Sequence, residues 1–174
     1  MNILVIGGSA SGKSEYAEGL AMRLGAPRLY AAAMLPDGEA AQARIARHRA
    51  LRAGKGFSTV ECPLSPGLLD PGGARVVLVE CVTTLLANEL FCPGGDADAL
   101  FGSLCALMAK VPHCVLVTGD VFCDGGAYSA ETMDYVRRLG ALNRQLAAHC
   151  DAAAEVTAGI ALPLKGEKLL ESLV

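Results

Sequence analysis

The sequence lacks several features that are typical of nucleic-acid-binding and membrane proteins. It has no tryptophan, and aromatic residues make up only 5% of the chain, which leaves few surfaces on which nucleobases can stack. The formal net charge is −3, so a broadly basic surface for nucleic acid is not expected. The N-terminus has no basic segment, and no apolar run approaches the roughly 20 residues that cross a membrane. These absences favour small phosphorylated ligands and predict a cytoplasmic protein.

The cysteines also lack the patterns that disulfide frameworks and zinc sites require. Seven of them are scattered through the chain, an odd number, with no Cys-x-x-Cys pair. Several lie at apolar positions of predicted strands and helices, where a free cysteine behaves as a small hydrophobic residue. We therefore expect reduced thiols that pack in the core, and no cysteine-bound metal.

The most informative segment is a glycine-rich loop between an apolar strand and an amphipathic helix. It has the spacing of a P-loop, a glycine followed by four residues and Gly-Lys-Ser. The loop consists of Gly7, Gly8, Ser9, Ala10, Ser11, Gly12, Lys13 and Ser14. Backbone N–H groups of such a loop wrap around phosphates, and the N-terminus of the following helix adds a partial positive charge. We assign a catalytic phosphate contact to Lys13 and an Mg²⁺ contact to Ser14, with GTP or ATP as the nucleotide. The alternative is a chance glycine turn.

Apolar strands alternate with helical patterns along the rest of the chain. Strands are predicted near residues 3–6, 28–33, 57–61, 75–80, 113–118 and 153–160, and helices near 16–24, 39–51, 83–91, 96–111 and 131–150. This order predicts an α/β fold in a single domain over residues 1–174, with a central mostly parallel sheet and helices on both faces. We expect a long loop over 119–129 at the carboxyl end of a strand, and a peripheral tail from Lys165.

Two polar features follow predicted strands. Glu80 ends a buried strand, where P-loop proteins commonly place an acidic residue that meets Mg²⁺, although a solvated strand-end carboxylate is the alternative. The helix at 39–51 gathers arginines around His48. They are Arg44, Arg47, Arg49 and Arg52. Charge pattern alone favours a solvated surface helix, whereas an anionic ligand would also relieve the repulsion among these side chains.

In this order, the motifs resemble the bifunctional adenosylcobinamide kinase and adenosylcobinamide-phosphate guanylyltransferase family of cobalamin biosynthesis. The similarity spans nearly the whole chain and is carried by the P-loop and by His48 with Arg49. Further matches are Glu80-Cys81-Val82-Thr83-Thr84 and Leu142-Asn143-Arg144-Gln145. A P-loop alone fits many enzymes, but this combination in so short a chain is far more specific.

The resemblance implies a RecA-like P-loop NTPase fold, a homotrimer and two chemical steps. Adenosylcobinamide is first phosphorylated on a free hydroxyl, and GMP is then transferred from GTP through a guanylylated histidine, which matches His48. Glu80 matches an acid associated with Mg²⁺. The resemblance also implies nucleotide contacts from six residues, namely Ala32, Ala33, Met34, Arg49, Arg52 and Glu61.

Some positions depart from the family pattern. Ala10 stands where the loop usually carries arginine, Ala53 replaces a proline, and Gly119-Asp120-Val121-Phe122 replaces an Asn-Glu-Val-Gly segment. By the resemblance, these changes fall in segments near the corrinoid substrate, so they put the identity of that substrate and the kinase step in more doubt than nucleotide binding. Two alternatives therefore stay open, a small-metabolite kinase without guanylyl transfer and a non-catalytic GTP-binding relative. The chain lacks the Asn-Lys-x-Asp motif that GTP-binding switch proteins use for guanine.

Overall fold

A computed structural model describes residues 1–120 and 128–173, apart from the side chains of Ala40, Arg44 and Leu51. The helices are α1 Lys13–Leu24, α2 Gly38–Arg52, α3 Val82–Phe91, α4 Leu100–Ala109, α5 Ala130–His149 and α6 Glu167–Glu171. The strands are β1 Asn2–Gly7, β2 Arg28–Ala32, β3 Phe57–Glu61, β4 Val76–Glu80, β5 His113–Gly119, β6 Ala152–Thr157 and β7 Ile160–Lys165. Most of the predicted loop at 119–129 lies outside the described residues, and so does Cys123.

The seven strands form one sheet in the order β3-β2-β4-β5-β1-β6-β7. Neighbouring strands from β3 to β6 are parallel, and only β7 is antiparallel. The central strands β4 and β5 are almost fully buried, which explains their nearly continuous apolar sequences. The predicted α/β fold with a mostly parallel sheet is confirmed.

Helices cover both faces of the sheet. On one face, α1 packs with Ile3, Val5, Tyr30 and Leu78 in one apolar cluster. On the other face, residues of α3, α4 and α5 pack with Leu4, Val77, Val79 and Leu116 in a second cluster. Because parallel strands end at the same edge, the segments that follow β1, β2, β3, β4 and β5 all meet there.

The prediction for the last strand was wrong. β6 ends at Thr157, and a turn through Ala158 and Gly159, both with positive φ (52° and 80°), reverses the chain into β7. Two such residues form the tight turn whose twist suits a hairpin. The apolar sequence over 153–160 therefore contains a turn. Of the two turn residues, only Gly159 is of a type that indicates a turn in the sequence.

The prediction of a peripheral tail was also wrong. Lys165 ends β7, and its Nζ atom donates hydrogen bonds to the carbonyls of Ala147, Ala148 and Cys150 at the end of α5. In α6, Leu170 is only 2% exposed, so this helix packs on the sheet. A cation at a helix C-terminus satisfies carbonyls that the helix itself leaves unpaired.

Neither of the two aspartates that precede α2 and α4 caps its helix through the side chain. Asp37 precedes α2, but its side chain makes no capping hydrogen bond. Asp96 Oδ1 accepts from the N–H groups of Asp98 and Ala99, which makes a turn, and α4 begins only at Leu100. Asp96 therefore caps a turn ahead of the helix, since Asp side chains bond readily to nearby backbone N–H groups.

The remaining sequence expectations concern thiols and membrane segments. The six cysteines within the described part of the chain are free thiols. Burial raises the pKa of the Cys62 and Cys105 thiols, so both favour the neutral form. Over residues 1–120 and 128–173, no helix is both long and apolar enough to cross a bilayer, and no cluster of metal-binding side chains is found.

Candidate nucleotide site

The loop between β1 and α1 has the shape of a phosphate cradle, and two of its glycines are required by the local geometry. A Cβ atom on Gly7 would lie 2.5 Å from the Val156 carbonyl oxygen and 2.6 Å from Ser11 Oγ. Gly12 has φ 93°, a conformation that other residues rarely adopt. The Lys13 side chain folds back toward the loop, and its Nζ atom donates a hydrogen bond to the Gly8 carbonyl at 2.9 Å. The ammonium group therefore already faces the space that phosphates fill in a P-loop.

The turn between β6 and β7 supports this cradle from outside. Gly159 donates its N–H to the Ser11 carbonyl at 2.8 Å. A Cβ atom on Gly12 would lie 3.2 Å from the Gly159 Cα atom, so the two backbones are closely packed. Sequence reasoning missed this contact because it did not predict the hairpin.

Two predicted metal ligands meet beside the loop. The Ser14 hydroxyl, in the first turn of α1, donates a hydrogen bond to Oε1 of Glu80 at the end of β4. The other carboxylate oxygen, Oε2, is buried and has no hydrogen-bond partner among the described residues, although the Tyr30 phenol lies close enough to the Glu80 carboxylate to interact with it. A buried carboxylate oxygen without a partner is costly unless a cation or donor reaches it.

A second carboxylate lies in the same row of the sheet. Ala32 pairs in register with Glu61 on β3 and with Glu80 on β4. Directly paired residues of parallel strands share a face, and adjacent strands are about 4.8 Å apart, so the two glutamates flank Ala32 roughly 10 Å from one another. Ala33 follows on the opposite face, where its side chain is fully buried in the apolar core. Any nucleotide contact from Ala33 is therefore through its backbone.

The basic helix α2 is docked on this face by charged side chains. Arg49 Nη2 lies 3.0 Å from Glu61 Oε1, in a solvent-exposed ion pair. Arg52 is only 7% exposed, and its Cζ atom lies 3.4 Å from the centroid of the Tyr30 ring. Among the α2 side chains that the structure describes, Arg52 alone is buried. Its Nε and Nη1 atoms have no hydrogen-bond partner in the described residues.

Tyr30 lies between Arg52 and Glu80 of the candidate site, and sequence reasoning did not single it out. Burial raises the pKa of its phenol, and the negative charge of the neighbouring Glu80 raises it further, while the Arg52 charge opposes both. The ring therefore stays neutral while it contacts a buried guanidinium on one side and approaches the Glu80 carboxylate on the other. An aromatic residue two positions before the end of a strand was the only signal available.

His48 is half-buried and lies one helical turn before Arg52 on the same face of α2. A helix that connects two parallel strands runs antiparallel to them. His48, one turn before Arg52, is therefore about 5.4 Å nearer the carboxyl edge of the sheet than Arg52 is. From Tyr30 to Ala32, β2 moves about 6.6 Å in the same direction. We therefore expect His48 near the level of the Glu61-Ala32-Glu80 row. Arg47 lies on the exposed side of α2.

A cavity of about 330 Å³ opens between α2 and the ends of β2 and β3. Its walls include the apolar residues Met34, Pro36, Ile45 and Pro63 and the polar residues Gln42, Arg49 and Glu61. This volume is at the lower end of the range for small-molecule sites. Met34, Arg49 and Glu61, three of the predicted nucleotide contacts, therefore share one cavity.

The first strand of this parallel sheet leads through a glycine-rich loop and a lysine into a helix, and an acidic residue ends β4, two strands away in the sheet. This combination defines a P-loop nucleotide-binding enzyme. Residues 3–164 match the family described as cobinamide kinase / cobinamide phosphate guanyltransferase, and the chain belongs to that family.

Two relatives, each covered over its full length, support this assignment. The chain is 34% identical over 178 residues to the bifunctional adenosylcobalamin biosynthesis protein CobP of Pseudomonas aeruginosa, covering 97% of this chain and 100% of the relative. It is 34% identical over 185 residues to the corresponding protein CobU of Escherichia coli, covering 95% and 100%. A solved structure, the flagellar accessory protein FlaH from Methanocaldococcus jannaschii, matches with TM-score 0.49 at 12% identity, over 94% of this chain and 77% of that chain.

Proposed function

We propose that this enzyme phosphorylates adenosylcobinamide and then transfers GMP to the product through a covalent intermediate on His48. The observation that supports the proposal is that Arg49 of α2 pairs with Glu61, which lies in the same row of the sheet as the Glu80 that accepts a hydrogen bond from Ser14. Both steps act on a nucleoside triphosphate, so one phosphate cradle with a nucleophile nearby suits the pair of reactions. We infer a cytoplasmic location because both steps consume nucleoside triphosphates.

In the kinase step, the hydroxyl oxygen of adenosylcobinamide attacks the γ-phosphorus. The bond from that phosphorus to the β–γ bridging oxygen breaks, a nucleoside diphosphate leaves, and the hydroxyl proton is released. Lys13 and the backbone N–H groups of residues 8–14 hold the phosphates and neutralise the charge that develops on them.

The residues present fit a magnesium ion. Ser14 and Glu80 offer the hard oxygen ligands that Mg²⁺ prefers, and Oε2 of Glu80 is buried with no hydrogen-bond partner among the described residues. When bound, Mg²⁺ withdraws charge from phosphate oxygens. Glu80 accepts the hydrogen bond of the Ser14 hydroxyl and so orients it.

In the guanylyl step, a nitrogen of the neutral His48 imidazole attacks the α-phosphorus of GTP. The bond to the α–β bridging oxygen breaks and pyrophosphate leaves. A phosphate oxygen of adenosylcobinamide phosphate then attacks the same phosphorus, the bond to His48 breaks, and adenosylcobinamide-GDP is released. Arg49 and Arg52 lie near His48 along α2 and can offset the phosphate charge.

The 330 Å³ cavity suits the guanine base. Its apolar walls can cover the faces of a purine, and the Glu61 carboxylate can accept hydrogen bonds from N1–H and the 2-amino group. Adenine lacks both donors. Because Glu61 is paired with the exposed Arg49, the carboxylate is held at the cavity before any nucleotide arrives. This arrangement offers guanine recognition without an Asn-Lys-x-Asp motif.

The test uses GTP labelled at the α-phosphate, with Mg²⁺. We expect an acid-labile protein adduct on the wild type and none on His48→Ala. His149→Ala is the matched control, because His149 packs against Phe101 near the end of α5. Label at the wild-type level in His48→Ala would refute the nucleophile assignment, and phosphoryl transfer with no adduct on any form would leave a kinase alone.

We also propose a homotrimer. The edge strand β7 exposes Ile160, Leu162 and Leu164, which alternate and therefore share a face. Exposed apolar side chains on an edge strand are suited to burial against another copy. Sedimentation of the wild type and of Leu162→Lys tests this: a monomeric wild type would contradict it, and dissociation of the variant supports β7 as the contact.

A further inference from the structure

Asn88 joins two segments that no strand pairing holds together. It lies in α3 and is only 8% exposed. Its Nδ2 atom donates one hydrogen bond to the Ala33 carbonyl and one to the Pro63 carbonyl, each at 2.9 Å. Both hydrogens of the amide are thus used on backbone oxygens that follow β2 and β3.

These two carbonyls lie just past the end of the β2–β3 ladder. The last register pair is Ala32 with Glu61, followed by a bond from the Cys62 N–H to the Ala32 carbonyl at 2.8 Å. Beyond that point, the chains separate around the cavity. Asn88 is therefore the tie that fixes how far apart the two segments are where they diverge.

The tied segments are the walls of the cavity. Met34 directly follows Ala33, while Pro63 lines the cavity itself and lies two residues after Glu61. Loss of either hydrogen bond would let a wall shift and would move the Glu61 carboxylate relative to the opposite side. A displacement of about 1 Å at a recognition group is enough to weaken selection strongly.

We propose that Asn88 is a positioning residue for base selection, acting on the nucleotide through the two walls that it ties. This inference rests on the proposed function, in which the cavity takes guanine and Glu61 reads its edge. A purely structural amide, which only satisfies two buried carbonyls, would lower stability without changing which base is chosen.

The test compares GTP with inosine triphosphate, which lacks the 2-amino group. We expect the wild type to prefer GTP by about tenfold or more in kcat/KM for adduct formation, since a donor to a carboxylate is lost. In Asn88→Ala the preference should fall toward one, with KM for GTP raised more than kcat is lowered. Leu86→Ala is the matched control, because it also removes a buried side chain of α3 and should keep the preference.

The outcomes separate the two proposals. A wild type that forms no adduct refutes the proposed function. An active wild type with equal use of both nucleotides refutes guanine reading by Glu61, and this inference with it. An Asn88→Ala protein with a lower melting temperature and an unchanged preference overturns the inference alone. If Asn88→Ala does not fold, Asn88→Ser keeps one donor, and an unchanged preference there is equally contradictory.

Discussion

The two glutamates that flank Ala32 should respond differently to the loss of their charge. Glu80 contacts Ser14 and has a second oxygen, buried and unpartnered within the described part of the chain, whereas Glu61 is about half exposed and paired with Arg49. In Glu80→Gln, one candidate metal ligand loses its charge. We expect kcat to fall about 10²- to 10³-fold, or about 2.7 to 4 kcal/mol of transition-state stabilisation. The Mg²⁺ concentration for half-maximal activity should also rise.

The assay is initial-rate phosphorylation of adenosylcobinamide as a function of Mg²⁺ concentration. Glu61→Gln is the matched control, because it makes the same chemical change in the same row of the sheet. It should leave the Mg²⁺ dependence unchanged and reduce the preference for GTP over ATP in adduct formation. If Glu80→Gln shows the wild-type Mg²⁺ dependence, or if Glu61→Gln shifts it equally, the assignment of Glu80 to the metal is wrong.

Three further predictions concern the loop, the docking of α2 and pH. Gly12→Ala should weaken nucleotide binding by about 5- to 30-fold, since a positive φ costs a non-glycine residue about 1–2 kcal/mol and the new Cβ would also lie close to Gly159. The measurement is titration with a fluorescent GTP analogue, and Gly19→Ala, with open space at its Cβ position, is the control. Tyr30→Leu should lower the free energy of unfolding, measured in urea, by at least about 2 kcal/mol. Tyr30→Phe keeps the ring under Arg52, so its free energy of unfolding should fall by less. Equal decreases in the two variants would contradict a stabilising contact between the ring and the guanidinium. Burial, the Met1 ammonium and Arg75 lower the pKa of His113 below 6.5, so the folded state binds this proton less well than the unfolded state and stability falls as pH drops below about 7. His113→Gln should flatten the dependence of the melting temperature on pH over this range. An unchanged dependence in the variant would contradict the prediction.

The sequence predicted the parts of the site that depend on local rules. A P-loop requires glycines and a lysine at fixed spacing, and a parallel sheet requires that strand ends meet at one edge. Those two rules were enough to anticipate that Ser14 and Glu80, 66 residues apart, lie together. The alternation of strands and helices likewise predicted six of the seven strands, because buried parallel strands are nearly continuous apolar runs.

The features that sequence reasoning missed depend on contacts between distant segments. Arg52 was predicted to contact nucleotide, but pattern alone does not show that its guanidinium stacks on Tyr30 from another element. The two hydrogen bonds of Asn88 to Ala33 and Pro63 are equally invisible in a helix that looks merely apolar. β7 was missed because its exposed residues do not follow the buried pattern of the other strands.

The contact between Gly159 and Ser11 affects how the protein is best engineered. Because the Gly159 N–H bonds to the Ser11 carbonyl of the phosphate-binding loop, a truncation that removes the β6–β7 turn is expected to lower nucleotide affinity. A reporter domain fused after α6 should leave the contact between Gly159 and Ser11 intact, whereas a peptide inserted at the turn should displace the phosphate-binding loop. Insertions or substitutions in the β6–β7 hairpin are thus expected to alter nucleotide binding without changing any residue of the phosphate-binding loop.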